Sequence, residues 1–450
     1  MASAAEQLAA NLRFDTFRKA TELHKRIGFT VLAMVIYRIG CYVPIPGINI
    51  AAYSQAFEGQ AKGLLGMVNM FSGGAVQRMA VFSLNVMPYI SASIIVQLLG
   101  TMYPPWEKLR KEGGEAGRKT LTQYTRYLTV VLGLFQAAGI ALSLQAGDGI
   151  VDKPGLAFLV STIATLTGGT MFLTWVGEQV TTRGVGNGLS LIIFAGIVAV
   201  FPRYIGQAIA LAHTGAMSGG ALLALGALAI AVTGGIVFFE LSQRRLLTQY
   251  PRRQAGTRMV GGDTSFLPLK VNSSGVMAPI FASSLLLLPA TAMGFVANAN
   301  LPTWAGWVPE LVGRLQHGQP AFIVLYGGMI VFFCFFYTSV MFNPEEVAEN
   351  LRKYGGFLPG IRPGRRTAAY LDFVMSRVTV VGAAYITAVC VLPEILIGSF
   401  NMPFYLGGTS ILIVVSVTMD TVNQIQSHLV THQYADLIRK SGLRGGNRTA

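Results

Sequence analysis

Few side chains in this sequence stand at spacings that could do chemistry, and each can be weighed. His428 and His432 are one helical turn apart, close enough to share a metal ion. The glutamate that turns such a pair into a zinc-protease motif is missing, which leaves a polar helix end. Residues 114–120, GEAGRKT, combine glycine, lysine and threonine as a phosphate-binding loop does, yet the Gly-x4-Gly-Lys spacing fails and a solvated basic loop remains. Residues 184–188, GVGNG, are glycine-rich but join two apolar segments instead of a strand and a helix, so no dinucleotide fingerprint applies. Cys41, Cys334 and Cys390 are far apart within apolar runs, without a CxxC pair, and read as small core residues. Asn272-Ser273-Ser274 and Asn447-Arg448-Thr449 match the glycosylation pattern, but both fall on the side that the charges below assign to the cytosol.

The elements that carry these residues are not those of a soluble chain. Of 450 residues, 52% are hydrophobic and only 12% charged, where a soluble domain is about a quarter charged. A hydrocarbon core about 30 Å thick takes about 20 apolar residues per helix. Ten segments meet that test: 27–45, 79–100, 124–146, 155–178, 188–209, 220–241, 274–296, 320–341, 371–392 and 404–425. They show no long period-2 alternation, so helices fit better than a barrel. Residues 1–26 are polar and basic with no apolar core, so no cleavable signal peptide is expected.

Basic residues set the topology. Of the 34 Lys and Arg, 27 crowd in or beside the N-terminus, the loops after the second, fourth, sixth and eighth segments, and the tail. The opposite side holds Lys62, Arg78, Lys153, Arg203 and Arg314, while Arg38 and Arg377 lie within segments. Positive residues stay cytoplasmic, so both termini are expected in the cytosol. Ionisable residues inside a membrane are functional candidates by default. Here Glu178, Glu240 and Asp420 lie near cytosolic ends, and only Arg38 is deeper. An ion-coupled transporter finds no mid-membrane carboxylate cluster, and an embedded enzyme finds no nucleophile or metal constellation.

Two cytosolic loops, 242–272 and 343–370, are longer than connectors need to be. The first carries Arg252, Arg253 and Arg258; the second carries Arg362, Arg365 and Arg366. A topology signal and attraction to anionic lipid account for the charge but not for the length. Pro359-Gly360 and Pro363-Gly364 bracket Arg362 with turn chemistry, which presents a guanidinium at a tip for bidentate binding of phosphate or carboxylate. An acidic cytosolic partner, protein or ribosomal RNA, is the sharper expectation. On the other side, VNMFSGGAVQR (68–78) is apolar and too short to span a bilayer. Gly73 and Gly74 break it just before the second spanning segment, and it reads either as an interfacial helix or as a segment folded back into a cavity.

Long strings in this chain, among them NMFSGGAVQRMAVFSLNVMPYISASIIVQLL, GEQVTTRGVGNGLSLIIFAGI, LPLKVNSSGVMAPIFASS and FNPEEVAENLRKYGGFLPGIRPGRRTA, closely resemble the SecY family of protein-conducting channel subunits. The likeness runs from about Ile27 to the tail. It implies an all-α polytopic membrane protein, with ten transmembrane helices in two inverted, pseudo-symmetric halves of five around a central hourglass pore. The halves would be 27–209 and 210–426, between a cytosolic N-terminal segment 1–26 and a cytosolic tail 427–450. Residues 64–78 would be a plug in the outer funnel, centred on Val68, Asn69, Met70, Phe71, Ser72, Gly73 and Gly74.

By motif, the resemblance places an aliphatic pore ring at Val86, Ile90, Leu189, Ile193, Ile280 and Ile413. The pairs Val86/Ile90 and Leu189/Ile193 each share one helix face at i,i+4. Pro279, directly before Ile280, is expected to shift the kink of the seventh span. Ser91, Gln97 and Leu288 would line a lateral gate between spans two and seven, through which an apolar signal sequence leaves for lipid. The resemblance implies no cofactor and no enzymatic activity. Its partners would be SecE-like and SecG-like small membrane subunits, a SecA-like motor ATPase, the ribosome, unfolded preproteins and anionic lipids, at the bacterial inner membrane.

Overall fold

A lipid-facing helix has to close its backbone hydrogen bonds within itself and turn apolar side chains outward, and the helices of this chain do both. The structure, a computed structural model, describes residues 21–60, 64–111, 113–147, 149–214, 219–250, 253–255, 258–260, 264–296, 319–400 and 407–440. Each of the ten expected segments falls on a helix. The first five are α1 (Thr21–Gly40), α4 (Met87–Met102), α6 (Gly114–Ala146), α7 (Leu156–Arg183) and α8 (Gly188–His213). The last five are α9 (Gly219–Leu241), α10 (Met277–Val296), α11 (Pro320–Met341), α13 (Arg365–Phe400) and α14 (Gly408–Lys440). Short helices α2 (Ile50–Gln60), α3 (Leu64–Phe71), α5 (Pro104–Lys111) and α12 (Pro344–Lys353) lie between them.

Among the described residues, six helices are long and apolar enough to cross a membrane on their own, and α4 is a shorter apolar helix. Large apolar residues such as Val31, Val35, Val160, Ile230 and Phe332 point outward, while Gln136, Thr129, Thr162, Thr170 and Ser284 are buried. That inversion of the soluble pattern suits a lipid surround.

Neighbour relations repeat along the chain. In the first five helices, α4 packs on α6, α6 on α7, α7 on α8 and α8 on α1; in the last five, α10 packs on α11, α11 on α13, α13 on α14 and α14 on α9. The two sets meet along two seams. On one, α10 touches α4 and α6; on the other, α14 touches α8 and α1.

The second expected span is shorter than its hydropathy suggests. Residues 72–86 form successive turns, and α4 begins only at Met87, with Val86 as its N-cap and Pro88 in its first turn. Met79 and Asn85 hold positive φ, 45° and 49°, which a helix beginning at residue 79 could not accommodate. Main-chain bonds fix this return: Ile45 N–H donates to Met79 O at 3.0 Å and Val81 N–H to Val43 O at 2.9 Å. Val86 therefore precedes the helix, although its carbonyl still accepts from Ile90 N–H at 3.0 Å. Pro279 also differs from expectation. It sits in the first turn of α10, where a missing N–H leaves no bond unmade and no kink is required.

The two basic loops form one lobe. β1 (Gln243–Gln249) pairs antiparallel with β4 (Thr264–Lys270), and β2 (Arg253–Ala255) pairs with β3 (Arg258–Val260) farther along the same hairpin. Gln249 and Phe357 exchange both main-chain hydrogen bonds at 2.9 Å, which joins the hairpin to the second loop. Leu246, Leu269, Ala348, Leu358, Leu371 and Met375 make a small core beneath them. α12 is capped by Asn343, whose side chain accepts from Glu345 N–H, with Glu345 and Glu346 in its first turn and Arg352 and Lys353 in its last. That charge order complements the helix dipole. Leu371 is fully buried in this core. Leu371→Ala should cost about 2–5 kcal/mol locally, read as faster hydrogen exchange of β1 and β4 amides with the spans unaffected; unchanged protection there would show that the hairpin stands without this core.

Candidate functional site

Residues from four helices and one short segment share one buried apolar cluster. Val86, Ile90, Ile193, Ile280 and Ile413 are all buried in one continuous apolar cluster, and half-buried Leu189 packs against it. The same cluster takes in Met70 and Phe71 of α3, with Val68 packed beside them. This cluster spans much of the bundle core, and it takes in or touches the six expected ring positions and Val68, Met70 and Phe71 of the 64–78 segment.

Local sequence accounts for each approach. Asn187 caps α8 by accepting from Leu189 N–H at 3.1 Å and Ser190 N–H at 3.3 Å, which fixes where Leu189 and Ile193 begin their face. The GVGNG stretch proves to be a packing turn. Gly186 holds φ +91° and a Cβ on Gly188 would strike the Gly177 carbonyl. Val185 N–H donates to Thr30 Oγ1 at 3.1 Å and Gly186 N–H to Gln424 Oε1 at 2.7 Å, so α1, α7, α8 and α14 are tied at one turn. Ser410 Oγ lies 3.5 Å from Met70 Sδ, three residues before Ile413.

The broken segment sits deep. Asn69, Met70, Phe71, Ser72, Gly73 and Gly74 are all buried. Gly74 N–H donates to Asn69 O at 2.8 Å and Gly73 N–H to Met70 O at 3.1 Å, with Gly73 at φ +67°: a Schellman stop that ends α3. Gly196 of α8 has no room for a side chain, because a Cβ there would collide with the Phe71 carbonyl.

At the α4–α10 seam Ser91 is buried, and Gln97 donates to Ser93 Oγ at 3.1 Å on its own helix. Leu288 lies on α10, and its side chain is outside the described residues. A contact that the sequence did not announce crosses this seam: Ser284 Oγ lies 3.9 Å from Met87 Sδ. In the cytosolic lobe, Arg362, Arg365 and Arg366 are exposed, between and after Gly360 at φ +80° and Gly364 at φ +104°. Arg365 and Arg366 open α13, where positive charge opposes the helix dipole, so helix stability does not explain them. Arg253 and Arg258 lie on β2 and β3, and Arg252 lies outside the described residues. Among the described residues, no group of three or more His, Cys, Asp or Glu could hold a metal ion.

The geometry defines a predominantly helical membrane protein whose buried apolar core takes in these aliphatic side chains and a folded-back segment. The family model described as SecY matches residues 80–422. Curated relatives include the protein translocase subunit SecY of Pseudomonas aeruginosa, 49% identical over 94% of this chain and 95% of that protein. The corresponding subunit of Escherichia coli strain K12 is 47% identical over 95% and 96%. The chain belongs to the SecY family. Among solved structures, one described as the structure of a protein conducting channel has TM-score 0.63 at 15% identity, covering 92% of this chain and 94% of that one. Sec61 in the canine ribosome-channel complex has TM-score 0.60 at 16% identity, with 92% and 94% covered. These two likenesses establish a shared fold.

An amide in the aliphatic cluster would be left without partners when the centre is closed, at a cost of about 1–3 kcal/mol. Ile413→Asn should therefore raise resting ion conductance roughly tenfold or more and admit a reporter with a defective signal sequence. Unchanged conductance in reconstituted bilayers would remove Ile413 from the constriction.

Proposed function

We propose that this chain is the pore-forming subunit of a protein translocase in a bacterial inner membrane. It passes unfolded polypeptides between its first and last five helices, 27–209 and 210–426, and releases apolar segments sideways into lipid. The observation that carries this reading is that Val86, Ile90, Ile193, Ile280 and Ile413 belong to the same buried core cluster as Met70 and Phe71, with Leu189 packed against it. A polypeptide pore has to admit every side chain, so it can bind none strongly, yet it has to hold back ions. Aliphatic side chains deform around a passing chain and dewet when it is gone. The 64–78 segment, ended by its glycines, is the plug that fills the space when no chain is present.

Driving energy comes from outside the subunit, from a SecA-like motor ATPase or a translating ribosome. Both suit the cytosolic lobe: Arg362, Arg365 and Arg366 stand exposed beside a hairpin that carries Arg253 and Arg258, Arg252 precedes Arg253 in sequence, and guanidinium groups take carboxylate and phosphate equally well. SecE-like and SecG-like subunits brace the helices in lipid, and anionic lipids meet the basic cytosolic face. Both termini lie in the cytosol.

The side exit is the feature that a simple pore lacks. With the native cysteines replaced, Met87→Cys and Ser284→Cys joined by a disulfide or a short bis-thiol reagent should stop export, and reduction of the disulfide should restore it. A long flexible linker should be tolerated. Full export with the short bridge quantitatively formed would exclude an exit between α4 and α10. The docking role is tested separately by Arg362→Glu, which loses a charge-assisted contact worth about 1.5–3 kcal/mol and adds repulsion. Abundance in the membrane should be normal while export falls steeply; normal export would place docking elsewhere.

A further inference from the structure

Arg38, the deepest charged residue in the sequence, has no part in the ring, the seam or the lobe. Its position is explained by the carbonyls at the end of α3. A helix leaves its last carbonyls without intrahelical partners, and here each of the final ones is taken. The Schellman turn uses Asn69 O and Met70 O. The next three carbonyls accept from side chains: Phe71 O from Asn85 Nδ2 at 2.7 Å, Ser72 O from Cys41 Sγ at 3.5 Å, and Gly73 O from Arg38 Nη1 at 2.7 Å. Two of those donors, Arg38 and Cys41, come from the end of α1 and its exit. A thiol is a weak donor, so the guanidinium is the strong tie. Cations are also favoured at a helix C-terminus.

The same guanidinium reaches the far side of the segment. Arg38 Nη2 donates to Tyr42 Oη at 3.0 Å, and its Cζ lies 4.9 Å from the centre of that ring. Arg78 Cζ stands 4.0 Å from the same ring. Tyr42 therefore gathers both ends of Gly73–Arg78, one through Arg38 and the other through Arg78. A side chain on Gly73 would have to hold φ +67° and crowd this contact, its Cβ 3.0 Å from Arg38 Nη1.

The geometry points to Arg38 as the positioning residue that latches the plug shut, with Tyr42 as its brace. The inference rests on residues 64–78 being a plug. The latch holds main chain, so it is indifferent to plug side chains. It releases only when the carbonyl of Gly73 withdraws from a guanidinium that the surrounding helices keep in place.

Cys41, fully buried beneath Ser72, supplies the readout. Cys334 and Cys390 are replaced by Ala, and a membrane-impermeant maleimide is applied from the face opposite the basic lobe. Resting protein with Arg38 should label slowly, and a preprotein arrested in the channel should accelerate labelling. Arg38→Met should raise the resting rate roughly tenfold to a hundredfold, the range expected for losing a hydrogen bond from a charged group. Arg38→Lys, which keeps one donor and the charge, should restore most of the protection. Should Arg38→Met fail to accumulate, Tyr42→Phe keeps the ring, removes the hydroxyl that orients Nη2, and should raise the rate several-fold. A resting rate unmoved in the variants that accumulate, with arrest still accelerating labelling, overturns the latch and leaves the plug. Labelling unchanged on arrest in the unaltered Arg38 protein overturns the plug reading itself.

Discussion

Everything in this structure answers to one contact: aliphatic side chains closing on one another at a place where nothing holds them together covalently. Val86, the N-cap of α4, and Ile413 of α14 are both wholly buried in one apolar cluster. Dispersion and the exclusion of water make that contact favourable, and it has no directionality. It can therefore be broken by an arriving chain and re-form afterward without any bond having to find its partner. The side-chain hydrogen bonds that reach this cluster from Ser410 and Ser284 are weak ones, to the sulfurs of Met70 and Met87. The hydrogen bonds that matter lie above, on the carbonyls of the folded-back segment, and below, in the turn at residues 184–188 that ties α1, α7, α8 and α14.

This division of labour shapes the glycines. Gly73, Gly186 and Gly196 each stand where main chain has to pass close to main chain or adopt a positive φ. They let hydrogen-bonding backbone approach the aliphatic centre without placing another side chain in it.

The spanning helices were legible in the sequence because the bilayer asks for a length and a hydropathy that composition reports directly. The start of α4 was not. Residues 79–86 are as apolar as a helix, since a turn buried against α3 and residues 43–45 needs the same burial, and hydropathy cannot tell the two apart. The available signals were Asn85, suited to a positive φ, and Pro88, suited to a first turn. The ring residues were beyond periodicity altogether: an isoleucine on a spanning helix looks the same whether it meets lipid, core or pore, and only the family resemblance singled them out. The arginines of the loops could be counted, but their union could not, because the Gln249–Phe357 bridge is made by main chain and leaves no trace in side-chain type. Arg38 stood out as anomalous, while its partner, a carbonyl, was invisible for the same reason.

That main-chain union has a mechanical consequence. One residue separates α9 from β1 and six separate β4 from α10, so the paired ladder, seven residues on each strand and about 23 Å long at strand rise, stands on the ends of two spanning helices. The Gln249–Phe357 bridge braces it against the neighbouring loop, so a load on either loop is shared by both. On the proposed reading, a push at the tip reaches the start of α10 through residues 271–276, and Ile280 stands in the turn that receives it.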